Sequence, residues 1–118
     1  MRATVVLYEP QNDLNVGSVV RVCRNHGVAS LVLIRPATFD IERVTITAPH
    51  SAEWIADHVR VVDAFEQAVE GLHRVYAFSG RHREERTPRS RLGPVLDGLA
   101  ETTDRFGFVF GREDTGLP

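Results

Sequence analysis

At 118 residues the chain is long enough for one hydrophobic core and too short for two domains, and its 42% hydrophobic and 25% charged residues are ordinary for a globular protein. A net charge of −2 does not advertise a polyanionic partner as a strongly basic domain would. No apolar run approaches the roughly 20 residues of a membrane-spanning helix, which sets membrane classes aside.

Met1 to Thr4 run straight into a strand-like segment, without the apolar stretch and cleavage site of a secretory signal, so a cytoplasmic location is expected. Ala3 to Tyr8 is apolar and β-branched, as in a buried strand, and Glu9 to Leu14 reads as the turn after it. The spacing then predicts a helix over 15–27. Val16, Val19, Val20 and Cys23 recur at i, i+3, i+4 and i+7 as one apolar stripe, on which Cys23 is a structural thiol. Asn15 is the expected N-cap and Gly27 the C-terminal stop. Gly17, Arg21 and Arg24 fall on another face, where the missing side chain of Gly17 leaves room for something to lie against the helix within reach of a guanidinium. A solvated arginine face is the plainer alternative.

Ser30 to Arg35 is a second apolar run, stopped by Pro36, and its short connection from Gly27 suits a parallel βαβ unit. Residues 37–50 offer no clean period and read mostly as loop with one helical turn. Ser51 to Asp57 reads as a short helix with Trp54 and Ile55 as its apolar contacts, and Val59 to Val62 as a short strand. A helix opens at Asp63 with Phe65, Ala68, Val69 and Leu72 in helical spacing, and His73 to Ser79 is a fourth strand. All 14 basic residues are arginine, and Arg81, Arg83, Arg86, Arg89 and Arg91 crowd into eleven positions, a segment that is either an exposed mixed-charge loop or a nucleic-acid contact. Pro94 to Glu101 reads as a helix and Phe106 to Phe110 as a fifth strand.

This alternation predicts an α/β fold, an open, mostly parallel sheet of about five strands with helices on both faces. Ligands in such sheets bind beyond the carboxyl ends of the strands, so the loops over 9–17, 79–91 and 111–118 should converge on one rim. No helix follows the last loop, so residues 1–118 are expected to be a single domain that is incomplete at its C-terminus. His26, His50, His58, His73 and His82 lack the i, i+3 or i, i+4 pairing of metal ligands on a helix, and no metal is expected. A Gly-x-Ser-x-Gly elbow, a Walker A sequence and a Gly-x-Gly-x-x-Gly fingerprint are also missing.

Three segments carry a resemblance. Glu9-Pro-Gln-Asn-Asp-Leu-Asn-Val-Gly17 is followed by Arg21 and by Arg24-Asn25-His26-Gly27; Ser79-Gly80-Arg81 ends the fourth strand, with Pro88-Arg89 downstream; Phe108-Val-Phe-Gly-Arg-Glu-Asp-Thr-Gly-Leu117 closes the chain. In order, spacing and strand context they resemble the motifs of the SPOUT superfamily of RNA methyltransferases, within it the SpoU/TrmH family and its TrmJ-like branch. The chain has Asp13-Leu14 where that family often has Pro-Gly, Phe78 where it has a small polar residue, and His26 where it has an aromatic.

The resemblance implies a SPOUT-type fold whose trefoil-knot segment, with the third motif, would lie beyond Leu117. It implies S-adenosylmethionine as methyl donor, a ribose 2′-hydroxyl of tRNA or rRNA as acceptor, and a homodimer that shares residues across its sites. Arg21 would be the principal catalytic residue, Asn15 its polar partner and Glu113 an orienting residue. Phe78, Ser79, Gly80, Gly111 and Gly116 would hold the cofactor, and Arg24, Arg81, Arg83 and Arg89 would contact RNA. Because a guanidinium keeps its proton, Arg21 is expected to stabilise the developing alkoxide and fix a phosphate rather than act as a base. The alternative is a non-catalytic RNA-binding or dimerisation module of the same fold.

Overall fold

The structure, a computed structural model, describes residues 3–78 and 105–111. Its elements in order are β1 (Ala3–Tyr8), α1 (Asp13–Asn25), β2 (Ser30–Ile34), α2 (Ile41–Thr47), α3 (Ala52–His58), β3 (Val59–Val62), α4 (Phe65–Val69), β4 (Arg74–Phe78) and β5 (Phe106–Phe110). The five strands form one sheet in the order β3-β2-β1-β5-β4, parallel at every pairing.

The burial of the strands follows their place in that order. β1, β2 and β5 lie inside the sheet and are near-continuous apolar runs, because a parallel strand covered on both faces has no side that must stay polar. Residues of alternating parity feed two cores. Val5, Leu7, Leu33 and Phe108 point to the face covered by α1, α2 and α3, where they meet Val16, Val20, Cys23, Val44 and Ile55. Val6, Val32, Ile34 and Val109 point to the other face and meet Ala68 of α4. Helices thus flank both faces, as the sequence predicts.

α1 begins two residues before the expected Asn15. Its N-cap is Asn12, whose Oδ1 accepts from the Leu14 and Asn15 N–H groups at 2.7 and 3.3 Å. Both asparagines are competent caps; the earlier one places a carboxylate, Asp13, in the first turn, where the helix dipole favours it. The far end is as expected. Gly27 has φ +68, Val28 N–H bonds to Cys23 O and Gly27 N–H to Arg24 O, the paired bonds of a Schellman stop.

Residues 41–47, read as mostly loop, form α2. Its Val-Thr-Ile-Thr run is poor in helix propensity and hides the period, but Asp40 caps it by accepting from Glu42 N–H at 3.0 Å, and Val44 is buried. The helix expected from Asp63 is shorter than its apolar spacing suggests: α4 covers five residues and leaves Leu72 outside. Gln67 ties its start by accepting from Asp63 and Ala64 N–H at 3.1 and 3.0 Å. The expected helix over 94–101 lies outside the described residues.

Candidate active site at the carboxyl ends of the strands

Strand register aligns the carboxyl ends. Leu7 of β1 and Phe78 of β4 both stand opposite Phe110 of β5, so the three loops singled out in the sequence begin at one rim. Phe78 and Phe110 stack there with ring centroids 4.9 Å apart, and Gly111 follows directly, half-exposed. Ser79, Gly80, Arg81, Arg83, Arg89, Glu113 and Gly116 lie outside the described residues.

The turn from β1 to α1 is tightly held. Glu9 leaves the sheet at φ +47 and Arg35, at the end of β2, at φ +43, both in the left-handed region that a side chain disfavours. Backbone bonds fix them there: Glu9 N–H donates to Ile34 O at 2.7 Å and Arg35 N–H to Val62 O at 3.0 Å. The Arg35 side chain returns across the gap, its Nη2 2.8 Å from Glu9 Oε2 and its Nη2 donating to Tyr8 Oη at 3.0 Å. The hydrogen bond to Glu9 is the main cause holding the Arg35 guanidinium above its ordinary pKa. Neither Glu9 nor Arg35 was marked as a pair by the sequence; the one available signal was a charged residue at each of two adjacent strand ends.

Gly17 has a different role from the one its sequence position suggests. It is buried, and a Cβ at this position would collide with Val44 O and Thr47 Oγ1 of α2. The thing that lies against the helix there is another helix. Thr47 Oγ1 also donates to Leu14 O at 2.7 Å, locking α2 to the first turn of α1. Asp13, read as part of the turn, is buried too; Thr38 Oγ1 donates to its Oδ2 at 3.3 Å and Arg43 Nε lies 3.8 Å away.

Asn15 and Arg21 are both exposed on α1. Six residues apart, they are separated by about 9 Å along the axis and about 120° around it, so α1 alone does not bring them together. Among the described residues Arg21 has no hydrogen-bond or ion-pair partner. Arg24 stands in the last turn of α1, at the end remote from the rim, and its Nη1 donates to His50 O at 3.2 Å, which braces α1 against the α2–α3 turn. Cys23 is wholly buried, and burial pushes its thiol far up from the ordinary range, consistent with a structural part. Among the described residues no group of His, Cys, Asp and Glu gathers as a metal site, and no helix is long and apolar enough to cross a membrane.

The sequence profile of the SpoU rRNA methylase family matches residues 2–118. The chain belongs to this family. Two relatives carry names of tRNA methyltransferases: the tRNA (cytidine-2′-O-)-methyltransferase TrmJ of Methanocaldococcus jannaschii, 32% identical over 97% of this chain and 50% of the relative, and the tRNA (cytidine/uridine/adenosine-2′-O-)-methyltransferase TrmJ of Pseudomonas aeruginosa, 34% identical over 98% and 46%. The crystal structure of TrmJ from Z. mobilis superposes with a TM-score of 0.73 at 25% identity, covering 98% of this chain and 52% of that one. The SpoU chain described here therefore has the SPOUT-type α/β fold, and it spans about half the length of the curated relatives it matches.

Proposed function

We propose that the chain is the part of an RNA methyltransferase that carries the first and second motifs, and that the complete protein transfers a methyl group from S-adenosylmethionine to a ribose 2′-hydroxyl of tRNA, with rRNA as the alternative acceptor. The observation that carries this reading is the family match over residues 2–118, joined to a first-motif arginine that is exposed and unengaged among the described residues. Residues 1–118 would form one SPOUT methyltransferase domain that other sequence completes, working in the cytoplasm.

The rim fits the cofactor in its described part. Phe78, half-buried and stacked on the buried Phe110, and the half-exposed Gly111 beside it leave part of one ring and some backbone accessible, features that a neutral purine ring and its ribose can use. Phe78 and Gly111 would hold the cofactor together with Ser79, Gly80 and Gly116. When bound, S-adenosylmethionine supplies an electrophilic methyl group on a sulfonium.

The chain's own residues supply position and charge. A ribose hydroxyl is a weak nucleophile, so the site must hold it in line, let its proton pass to water, and tolerate negative charge on the attacking oxygen as the O–C bond forms and the C–S bond breaks to leave a neutral thioether. The Arg21 fork meets the first and last of these needs, with one N–H pair toward the oxygen and one toward the adjacent phosphate. Asn15 would orient the ribose and Glu113 the arginine. Arg21 lies about 12 Å along α1 from Asp13 at the rim. That offset supports a homodimer in which the arginine of one copy serves the rim of the other. Arg81, Arg83 and Arg89, with Arg24, would contact the RNA.

The test is transfer of labelled methyl groups from S-adenosylmethionine to unmodified tRNA and rRNA by the complete gene product containing this chain, followed by digestion to nucleosides. Labelled 2′-O-methylnucleosides are the expected products. Label confined to bases, or none in either RNA, would overturn the reading.

A further inference from the structure

We propose that Arg35 is a positioning residue for the β1–α1 loop: by forking onto Glu9 and Tyr8 it sets where Asn12 caps α1, and through that cap where Asn15 and Arg21 stand.

Residues 9–12 are the only link between the end of β1 and the head of α1. Four residues can cross that gap by several routes, and an unconstrained loop of this kind would sample them. Here the route is chosen at its first residue, where Glu9 takes φ +47. The conformation is unfavourable for a glutamate, so it persists only where surrounding contacts over-determine it. Those contacts come from β2, from its exit and from within the loop. Glu9 N–H donates to Ile34 O, Ala37 N–H donates to Pro10 O at 2.9 Å, and Gln11 Nε2 donates to Glu9 O at 2.7 Å.

The Arg35 guanidinium closes the arrangement with all three of its nitrogens. Nε donates to Glu9 Oε2 at 3.1 Å, Nη2 to Tyr8 Oη at 3.0 Å, and Nη1 to Asp63 O at 3.3 Å, so the ends of β1, β2 and β3 are laced together by one side chain. The Arg35 carbon Cζ also lies 5.6 Å from the Tyr8 ring centroid. A lysine could serve one of these acceptors but not three in a plane. Half of the Arg35 side chain is exposed, and exposed pairs contribute little to global stability. A long, entropically costly arginine fully engaged at the surface is therefore placed for local geometry rather than for holding the fold together.

The consequence for the loop stands on these contacts alone; the consequence for methyl transfer rests on the function proposed above. The test compares the complete gene product as wild type, Arg35→Met and Arg35→Lys by three measurements: amide hydrogen exchange, thermal unfolding, and steady-state methylation of a tRNA transcript. In Arg35→Met, exchange of the Leu14 and Asn15 amides, which Asn12 caps, rises about tenfold while the amides of β1 and β2 are unaffected, because only the local opening is eased. The same variant loses about tenfold or more in kcat with an unchanged KM for S-adenosylmethionine, the pattern of a misplaced rather than an unbound reactant. Arg35→Lys recovers part of both.

Unchanged exchange at Leu14 and Asn15 in Arg35→Met would overturn the proposal. So would a uniform rise in exchange across the sheet with a matching fall in unfolding temperature, since that is a general loss of stability. If the wild-type protein transfers no methyl group, only the function proposed above fails, and the exchange result decides the positioning role without it.

Discussion

Gly17 of α1 and Val44 of α2 meet so closely that the Val44 carbonyl oxygen occupies the space a Cβ on residue 17 would need. The glycine of the Asn-x-Gly motif is thus a packing residue, and its neighbours along the helix inherit their places from that contact. Arg21, one turn further on, sits on the strip of α1 that begins at the α2 junction. The approach of the two helices sets the angle at which α1 presents it.

A methyl group at residue 17 should therefore be felt. Gly17→Ala gains helix propensity, worth about 1 kcal/mol, yet forces α1 and α2 apart, and overpacking of backbone against backbone costs about 1–3 kcal/mol, so the net is destabilising. Urea denaturation of wild type and variant checks the sign. A stabilised variant would mean that α2 moves aside freely.

The cap at Asn12 makes a second prediction. Asn12→Ala removes the acceptor for two first-turn N–H groups and should cost about 1 kcal/mol, whereas Asn15→Ala, at an exposed position within the helix, should leave stability nearly unchanged. Paired denaturation curves separate the two asparagines; the opposite ranking would return the helix start to Asn15.

Cys23 gives a pH dependence with a definite sign. Its folded-state pKa is raised by burial, so the thiol stays protonated in the native state while the unfolded chain ionises near an ordinary pKa of about 8.5. The stability from this group is fully present below that pH and falls above it, by about 1.4 kcal/mol per pH unit, because the unfolded state then binds fewer protons. Comparing wild type with Cys23→Ala between pH 7 and 10 isolates the effect: the gap between them should narrow as pH rises. A constant gap would show that the thiol is not buried.

For Arg21, the proposed function predicts that Arg21→Lys lowers methyl transfer by on the order of 10²-fold, since the charge is kept but the fork is lost. Calorimetry should find S-adenosylmethionine affinity unchanged. Near-normal turnover would remove Arg21 from the catalytic role.

The elements that were plain in the sequence are those in which one physical signal dominates. β1, β2 and β5 are apolar runs because they are covered on both faces, and the stripe of Val16, Val19, Val20 and Cys23 fits a 3.6-residue period. Contacts between distant segments left no such trace. Asn12 and Asn15 are equivalent as caps until Thr47 binds the Leu14 carbonyl, and α2 is a helix because Asp40 caps it and Gly17 admits it. The site divides the same way. Arg21 and Asn15 are candidates from the first motif alone, while the Glu9–Arg35 pair joins residues 26 apart, visible only once β1 and β2 lie side by side.

The strand order also governs how the chain must be made. Among the described residues β4 has β5 as its only sheet neighbour, and β5 leaves the ribosome after the other four described strands, separated from β4 by residues 79–105. β1, β2 and β3 can pair as they emerge, but the outer edge of β1 stays open until Phe106 to Phe110 slide in between two strands already synthesised. Such late, long-range parallel pairing is slow and leaves an apolar edge bare in the meantime. Until β5 arrives, the β1 backbone over Ala3 to Leu7 is the unpaired edge along which mispairing would begin.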